Sequence, residues 1–147
     1  MAFVVEELGD PTPARPALDI LARLNSDHVN LDSESRLTHA RFWVVHTGDV
    51  AQPLAYSLVW LLGDEVEIVD LATALGWRRQ GAASALLHEL ERRYRDAGLD
   101  AVYLEVRANN HAAIALYSRR GFEQTRVRKR YYADGEDAWD MRKSLVD

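Results

Sequence analysis

The chain has 147 residues, of which 48% are hydrophobic and 28% charged, and its formal net charge is −5. A chain of this length predicts one domain with a sizeable core, and its negative charge argues against nucleic acid or an anionic membrane surface as a partner. It has no cysteine, which excludes disulfides, thiolate catalysis and cysteine–zinc sites.

The start of the chain and its apolar runs bear on where the protein works. Residues 1–10 carry Glu6, Glu7 and Asp10 and lack the basic stretch and long apolar core of a signal peptide. No apolar run in the sequence is long enough to cross a membrane. We therefore expect a soluble cytoplasmic protein with no membrane partner.

The first half of the chain has the pattern of strands joined by short turns, with one helix near its start. Leu18, Leu21 and Leu24 recur at helical spacing, whereas the polar segment 25–38 leaves a second short helix as one option. Successive strands with short turns favour an antiparallel meander. In chain order, the predicted elements are a strand over 3–8, a helix over 17–24, and strands over 42–46, 54–62 and 66–73.

The second half of the chain predicts two helices that alternate with strands. Apolar residues between Ala83 and Tyr94 recur at helical spacing, and Gly98 suits the end of that helix. Asn109 or Asn110 can cap the next helix. The strand–helix–strand unit predicts a parallel pair with a right-handed crossover inside a mixed sheet. The predicted elements are a helix over 84–95, a strand over 102–107, a helix ending near residue 120, and strands over 122–132 and 138–145.

Residues 78–83 link the strand over 66–73 to the helix that follows, and they have the composition of a phosphate cradle. Backbone N–H groups at a helix start point outward, and the helix dipole adds partial positive charge. Gly81, Ala82 and Ala83 allow close approach of a pyrophosphate, and Arg78 and Arg79 add charge that suits phosphate. Taken alone, the stretch is equally typical of a helix start that serves packing.

Three stretches in the correct order resemble the GNAT superfamily of acyl-CoA N-acyltransferases. Residues 78–83 match its Arg/Gln-x-x-Gly-x-Gly/Ala signature. Residues 104–117, followed by Gly121 and Phe122, are close to the pattern of RimI-type N-terminal alanine acetyltransferases of ribosomal proteins, and residues 130–138 look like their C-terminal hairpin. The resemblance covers residues 65–145. It implies a single domain over 1–147 with the α/β GNAT fold, a mixed, mostly antiparallel sheet of about seven strands flanked by helices.

The resemblance implies acetyl-CoA as the acyl donor. The backbone of Leu71, Ala72 and Thr73 would pair with the pantetheine arm, although an ordinary core strand explains the same residues. Asn110 matches the family asparagine that hydrogen-bonds the donor, and a helix cap is its alternative role. The residues whose N–H groups would bind the pyrophosphate are Arg79, Gln80, Gly81, Ala82, Ala83 and Ser84.

The resemblance also implies a general base and a general acid. Glu105 matches the catalytic glutamate of RimI-type enzymes and would take a proton from the acceptor ammonium through a water molecule. By pattern alone, a solvent-facing position on a half-exposed strand is the better explanation for Glu105, and the resemblance reverses that preference. Tyr117 matches the tyrosine that protonates the departing CoA thiolate, and aromatic packing at helical spacing is its alternative role.

The sequence says least about the identity of the acceptor. By resemblance, Tyr131 and Tyr132 would grip a peptide N-terminus, and cross-strand packing is their alternative role. Asp70 stands where RimI-type enzymes have a small hydroxyl residue. Its carboxylate is expected either to position water or to favour a cationic acceptor. The resemblance implies direct attack by a neutral amine in a ternary complex, with acetyl-CoA and the acceptor on opposite sides of a splay in the sheet.

Three interpretations of the function stay open at this point. The leading acceptor is the N-terminal amine of a protein such as a ribosomal protein, and the second is a small-molecule amine. A non-catalytic acyl-CoA-binding sensor would keep the cradle, but it gives Glu105 and Tyr117 no reason to occur together. The five histidines lack metal-ligand spacing, so no metal is implied. A monomer and a homodimer are equally compatible with the sequence.

Overall fold

A computed structural model describes residues 2–25 and 29–147. The strands in this part of the chain are β1 Val4–Leu8, β2 Ala40–His46, β3 Ala55–Leu62, β4 Glu65–Thr73, β5 Ala101–Arg107, β6 Glu123–Arg128 and β7 Ala138–Ser144. The α-helices are α1 Arg15–Asn25, α2 Leu31–Glu34, α3 Ala82–Asp96 and α4 His111–Arg119. The strands form one sheet in the order β1-β2-β3-β4-β5-β7-β6.

The pairing of the strands confirms the predicted mixed, mostly antiparallel sheet. Strands β1 to β4 form an antiparallel meander, and β7 pairs antiparallel with both β5 and β6. Strands β4 and β5 pair in parallel. A parallel pair needs a long crossover connection, and α3 lies in the segment that joins these two strands.

Helices cover both faces of the sheet. Leu18 of α1 and Leu31 of α2 belong to one buried apolar cluster, and Leu86 and Leu90 of α3 belong to a second. Strand β2 serves both clusters, because successive side chains of a strand point to opposite faces. Its residues divide into Phe42 and Val44 on the first face and Trp43 and Val45 on the second.

A β-bulge interrupts β4 next to the site described below. Leu58 pairs with Asp70 and Val59 with Ile68, so Val69 is an extra residue on β4. An extra residue shifts the alternation of side chains and bends the strand. Ile68 accordingly packs into the cluster of α3, whereas Val69 packs against the cluster of α1.

The parallel strands separate immediately beyond this bulge. Their pairing begins with Glu65 opposite Ala101 and ends with Ile68 opposite Leu104. Strand β4 nevertheless continues to Thr73, and β5 continues to Arg107. The β5-facing edge of β4 therefore has no strand partner beyond Ile68 among the described residues, and a gap opens in the middle of the sheet.

The structure corrects two boundaries and fills one open segment. The strand predicted over 122–132 is too long, because β6 ends at Arg128 and Arg130 has a left-handed φ of 50°. Tyr131 and Tyr132 lie in the following loop, so cross-strand packing is the wrong explanation for them. Helix α3 begins at Ala82, two residues before its predicted start. In the segment 25–38, α2 is a short helix capped by Asn30, and residues 26–28 lie outside the described residues.

Candidate active site

The gap between β4 and β5 opens into a cavity of about 370 Å³. Its walls come from both strands, from α4 and from the β6–β7 loop. The lining includes every predicted catalytic and acceptor-binding residue: Asp70, Glu105, Tyr117, Tyr131 and Tyr132. Folding thus brings together side chains that are separated by up to sixty-two positions along the chain.

Glu105 lies on β5, half-buried, directly opposite Asp140 of β7. The Tyr131 hydroxyl interacts with the Glu105 carboxylate, and this interaction is the main cause that raises the pKa of Tyr131 to about 12. The neighbouring Asp140 carboxylate is paired with the Arg128 guanidinium at 3.0 and 3.1 Å. Glu105 therefore faces the cavity, where its carboxylate can accept a proton.

Tyr117 lies on α4 and is only 6% exposed. Its ring packs edge-on against Phe122, with a centroid distance of 5.5 Å. Burial, and to a smaller extent the nearby Asp70 carboxylate, raise the pKa of the Tyr117 hydroxyl. A tyrosine with a raised pKa keeps its proton at neutral pH, which is the protonation state that a general acid needs before the reaction. Packing and proton donation are thus compatible roles for this side chain.

Asp70 follows the bulge on β4 and is 3% exposed. The Tyr56 hydroxyl donates a short hydrogen bond to one oxygen of its carboxylate. The backbone N–H of Leu71 donates to the other oxygen at 3.1 Å. A buried polar group of this kind is tolerated because donors satisfy it. Asp70 is thus part of the cavity wall and is tied to the core beneath it.

A second cavity, of about 870 Å³, adjoins the first. The two share the lining residues Leu71, Asn110, Ala113 and Leu116. Predicted donor-binding residues that line the second cavity are Leu71, Ala72, Thr73, Arg79, Gly81, Ala82, Ala83, Ser84 and Asn110. Gln80 lines neither cavity, and its side-chain amide instead donates to the Gly76 carbonyl at 3.1 Å.

The start of α3 has the backbone geometry of an anion site. Gly81 caps the helix with a left-handed φ of 88°, and the first helical hydrogen bond runs from the Ala85 N–H to the Gly81 carbonyl at 2.9 Å. A helix leaves the N–H groups before that bond without an internal acceptor. The N–H groups of Ala82, Ala83 and Ser84 are of this kind, and they line a cavity that Arg79 also lines. The residues present therefore fit a pyrophosphate.

Asn110 joins the two cavities and also caps α4. Its side-chain oxygen accepts a hydrogen bond from the Ala113 N–H at 3.2 Å. The cap uses only the acceptor end of the side chain, because an asparagine amide carries its two donors on the nitrogen. A helix cap and a donor-binding role therefore do not compete for the same atom.

The sequence alone did not identify several residues that line the two cavities. Arg119 lines the second cavity and lies on the same face of α4 as Ala112 and Ala115. These three positions are three, four and seven residues apart, a spacing that places them on one helix face and could have identified Arg119 from the sequence. Glu67, on β4, lines the first cavity, where burial is the main cause that raises the pKa of its carboxyl. Arg107, at the end of β5, also lines this cavity, and no local pattern marked it.

Two further features are absent from the part of the chain that the structure describes. No group of three or more histidine, cysteine, aspartate or glutamate side chains there is placed to hold a metal ion. None of the helices in that part has the length and apolar character needed to cross a membrane.

Comparison with known proteins places these features in a family. The sequence matches the acetyltransferase (GNAT) family over residues 6–122. It is 36% identical over 103 residues to the ribosomal protein bS18-alanine N-acetyltransferase of Escherichia coli K12, which covers 68% of each chain. It is 42% identical over 79 residues to an N-alpha-acetyltransferase of Saccharolobus solfataricus, a match over 53% of this chain and 47% of that protein's length.

A solved structure has the same fold over almost the whole chain. The crystal structure of the ribosomal-protein-S18-alanine N-acetyltransferase from Escherichia coli superposes with a TM-score of 0.85 at 25% sequence identity, covering 99% of this chain and 96% of that one. The splayed parallel pair and the cradle at the start of α3 lie within the matched residues 6–122. On this evidence, the chain belongs to the GNAT family of acetyltransferases.

Proposed function

We propose that this protein transfers the acetyl group of acetyl-CoA to the N-terminal α-amine of a protein. One observation carries the proposal: a candidate base, Glu105, and a candidate acid, Tyr117, line a cavity that adjoins the cradle of α3. A binding module would need the cradle alone, whereas acyl transfer to an amine needs a base and an acid as well.

The second cavity is suited to hold acetyl-CoA, which supplies the acetyl group as a thioester. The N-terminal N–H groups of α3 and the Arg79 side chain would bind the pyrophosphate. The edge of β4 beyond Ile68 has no strand partner among the described residues. This edge, over residues 71–73, would offer its backbone groups to the pantetheine arm.

Glu105 and Tyr117 would handle the protons of the reaction. Glu105 takes a proton from the acceptor ammonium, through water, and passes it to solvent. The neutral amine then attacks the thioester carbonyl carbon, a C–N bond forms, and the nitrogen loses its second proton by the same route. As the C–S bond breaks, the sulfur keeps the bonding pair and takes the proton of the Tyr117 hydroxyl. Tyr117 regains a proton from solvent, so the products are an amide, CoA thiol and one released proton.

The lining of the first cavity supports an N-terminal amine as the acceptor. Glu67 and Glu105 give its wall two carboxylates that suit a cationic ammonium group before deprotonation. Tyr131 and Tyr132 lie at the β6–β7 loop, and Tyr131 is 48% exposed, so it is accessible to a peptide. The Escherichia coli relative is named as an N-acetyltransferase for an alanine of ribosomal protein bS18. An alanine N-terminus of a ribosomal protein is therefore our first candidate, and it would place the reaction in the cytoplasm.

The test is an acceptor screen with acetyl-CoA, read by mass spectrometry and by release of free CoA. The panel contains peptides with a free N-terminal alanine, the same peptides with a blocked N-terminus and an internal lysine, and a set of small amines. We expect one acetyl group to be added to the free N-terminus and none to the blocked peptides. Turnover of small amines alone would move the assignment to a small-molecule acetyltransferase. Acetyl-CoA binding without turnover of any amine would support the sensor.

A further inference from the structure

Arg107, a residue of β5, contacts the β6–β7 loop, residues 129–137. The guanidinium carbon of Arg107 lies 4.0 Å from the centroid of the Tyr132 ring. One guanidinium nitrogen of Arg107 also donates to both carboxylate oxygens of Asp134, at 3.1 and 3.0 Å. One side chain therefore contacts the loop at two points, through a cation–π contact and an ion pair.

These contacts connect Arg107 to the candidate base, Glu105. Glu105 and Arg107 are two residues apart on β5 and so project from the same face of the strand. The rings of Tyr131 and Tyr132 pack edge-on, with a centroid distance of 5.2 Å. The Tyr131 hydroxyl in turn interacts with the Glu105 carboxylate. A continuous series of contacts thus runs from Arg107 through the two tyrosines to Glu105.

The exposure of the ion pair argues against a purely structural role. The side chains of Arg107 and Asp134 are 40% and 63% exposed, and pairs with that exposure contribute little to the stability of a fold. Arg107 nevertheless lines the cavity together with the two tyrosines that it helps to hold. Its position suits a role in the geometry of the cavity better than a role in folding.

We infer that Arg107 is a positioning residue for the acceptor. By holding Tyr132 and Asp134, it keeps the β6–β7 loop against Glu105, so that a peptide N-terminus entering beside the tyrosines meets the base. The inference rests on the proposed function, because it takes the acceptor to be a peptide. Arg107 itself exchanges no proton and binds no reacting atom in this scheme.

The test compares two loop-releasing variants with a matched control. Arg107→Met removes the guanidinium and keeps the length of the side chain. Asp134→Asn removes the charge and keeps a side-chain oxygen for the Glu136 N–H, which donates to Asp134 at 3.0 Å. Arg126→Met is the control, because Arg126 is an exposed arginine of β6. Arg107→Lys keeps the positive charge but loses the planar guanidinium. The loop in this variant should therefore be held more firmly than in Arg107→Met and less firmly than in the wild type.

The first readout is hydrogen exchange of the loop amides, which needs no turnover. The loop contains backbone hydrogen bonds from the Tyr132 N–H to the Glu136 carbonyl at 3.1 Å and from the Gly135 N–H to the Tyr132 carbonyl at 2.9 Å. We expect these amides to exchange faster in Arg107→Met and in Asp134→Asn, and at the wild-type rate in Arg126→Met. Unchanged exchange in Arg107→Met would overturn the inference.

The second readout is steady-state kinetics with an accepted peptide. We expect KM for the peptide to rise about fivefold in Arg107→Met, with a smaller rise in Asp134→Asn and an unchanged KM for acetyl-CoA. The double variant should be no worse than Arg107→Met, because the two residues act through one contact. Faster exchange with an unchanged peptide KM would overturn the positioning role. Absence of peptide turnover in the wild type would instead overturn the proposed acceptor, while hydrogen exchange would still decide whether Arg107 holds the loop.

Discussion

The hydroxyl group of Tyr56 donates a hydrogen bond to the buried carboxylate of Asp70, and the two residues lie on adjacent strands beneath the reaction cavity. The bulge at Val69 makes this contact possible, because it brings Asp70 opposite Leu58 on the side of the sheet where Tyr56 is buried. Asp70 also lines the cavity and raises the pKa of Tyr117, after burial as the main cause. A core hydrogen bond and the candidate acid are thus linked through one carboxylate.

Removing the Tyr56 hydroxyl should destabilise the fold. Tyr56→Phe leaves the Asp70 carboxylate buried with one donor fewer, and we expect the free energy of unfolding to fall by about 1–3 kcal/mol. Denaturant unfolding at neutral pH measures the change. Adding Asp70→Asn to this variant should recover part of the loss, since a neutral amide is less costly to bury than a carboxylate short of a donor. An unchanged unfolding midpoint in Tyr56→Phe would show that the hydrogen bond contributes nothing.

Neutralising the candidate base should reduce turnover without affecting the acyl donor. In Glu105→Gln we expect kcat to fall about 100-fold or more, since general-base catalysis is typically worth that much. Acetyl-CoA binding, measured by calorimetry, should match the wild type, because Glu105 lines the first cavity and not the second. The control is Glu123→Gln, an exposed glutamate of β6. Equal loss of activity in both variants would remove Glu105 from the mechanism.

Removing the Tyr117 hydroxyl separates its packing role from its chemical role. Tyr117→Phe keeps the ring that packs against Phe122, so we expect the unfolding midpoint and acetyl-CoA binding to stay close to wild type. Loss of the proton donor should lower kcat about 100-fold. An acyl donor whose leaving thiol is more acidic needs less help from an acid. With such a donor, the difference in kcat between the wild type and Tyr117→Phe should become smaller. Full turnover by Tyr117→Phe would show that another group protonates the sulfur.

A substitution at the cradle can be matched with one at the other end of the same helix. Gly81 and Gly98 flank α3, with left-handed φ values of 88° and 87°. Alanine at either position should lower the free energy of unfolding by about 1–2 kcal/mol, because a Cβ strains this conformation. Only Gly81 lines the second cavity. We therefore expect KM for acetyl-CoA to rise about fivefold in Gly81→Ala and to stay unchanged in Gly98→Ala. A rise in both variants would attribute the effect to general destabilisation.

Local patterns were sufficient for most of the architecture. The alternation of Val102, Leu104 and Val106 predicts β5, and the helical spacing of Leu86, Leu87 and Leu90 predicts α3, because each period reports which face of the element is buried. The parallel pairing of β4 and β5 was also predictable, since a helix-length connection between two strands permits it. The end of β6 was not, because the left-handed conformation at Arg130 leaves no signal in a run of polar residues.

Short-range periodicity and motif spacing account for most of the elements, their order, the family resemblance and the residue types available for acetyl transfer. How those residues meet depends on the tertiary structure. The bulge at Val69 brings Asp70 opposite Leu58, beyond it β4 and β5 separate into a cavity, and the β6–β7 loop sets Tyr131 against Glu105. Pairing register and loop contacts join residues far apart in the chain, and no local pattern records them. The contact of Arg107 with Tyr132 and Asp134 is of the same kind.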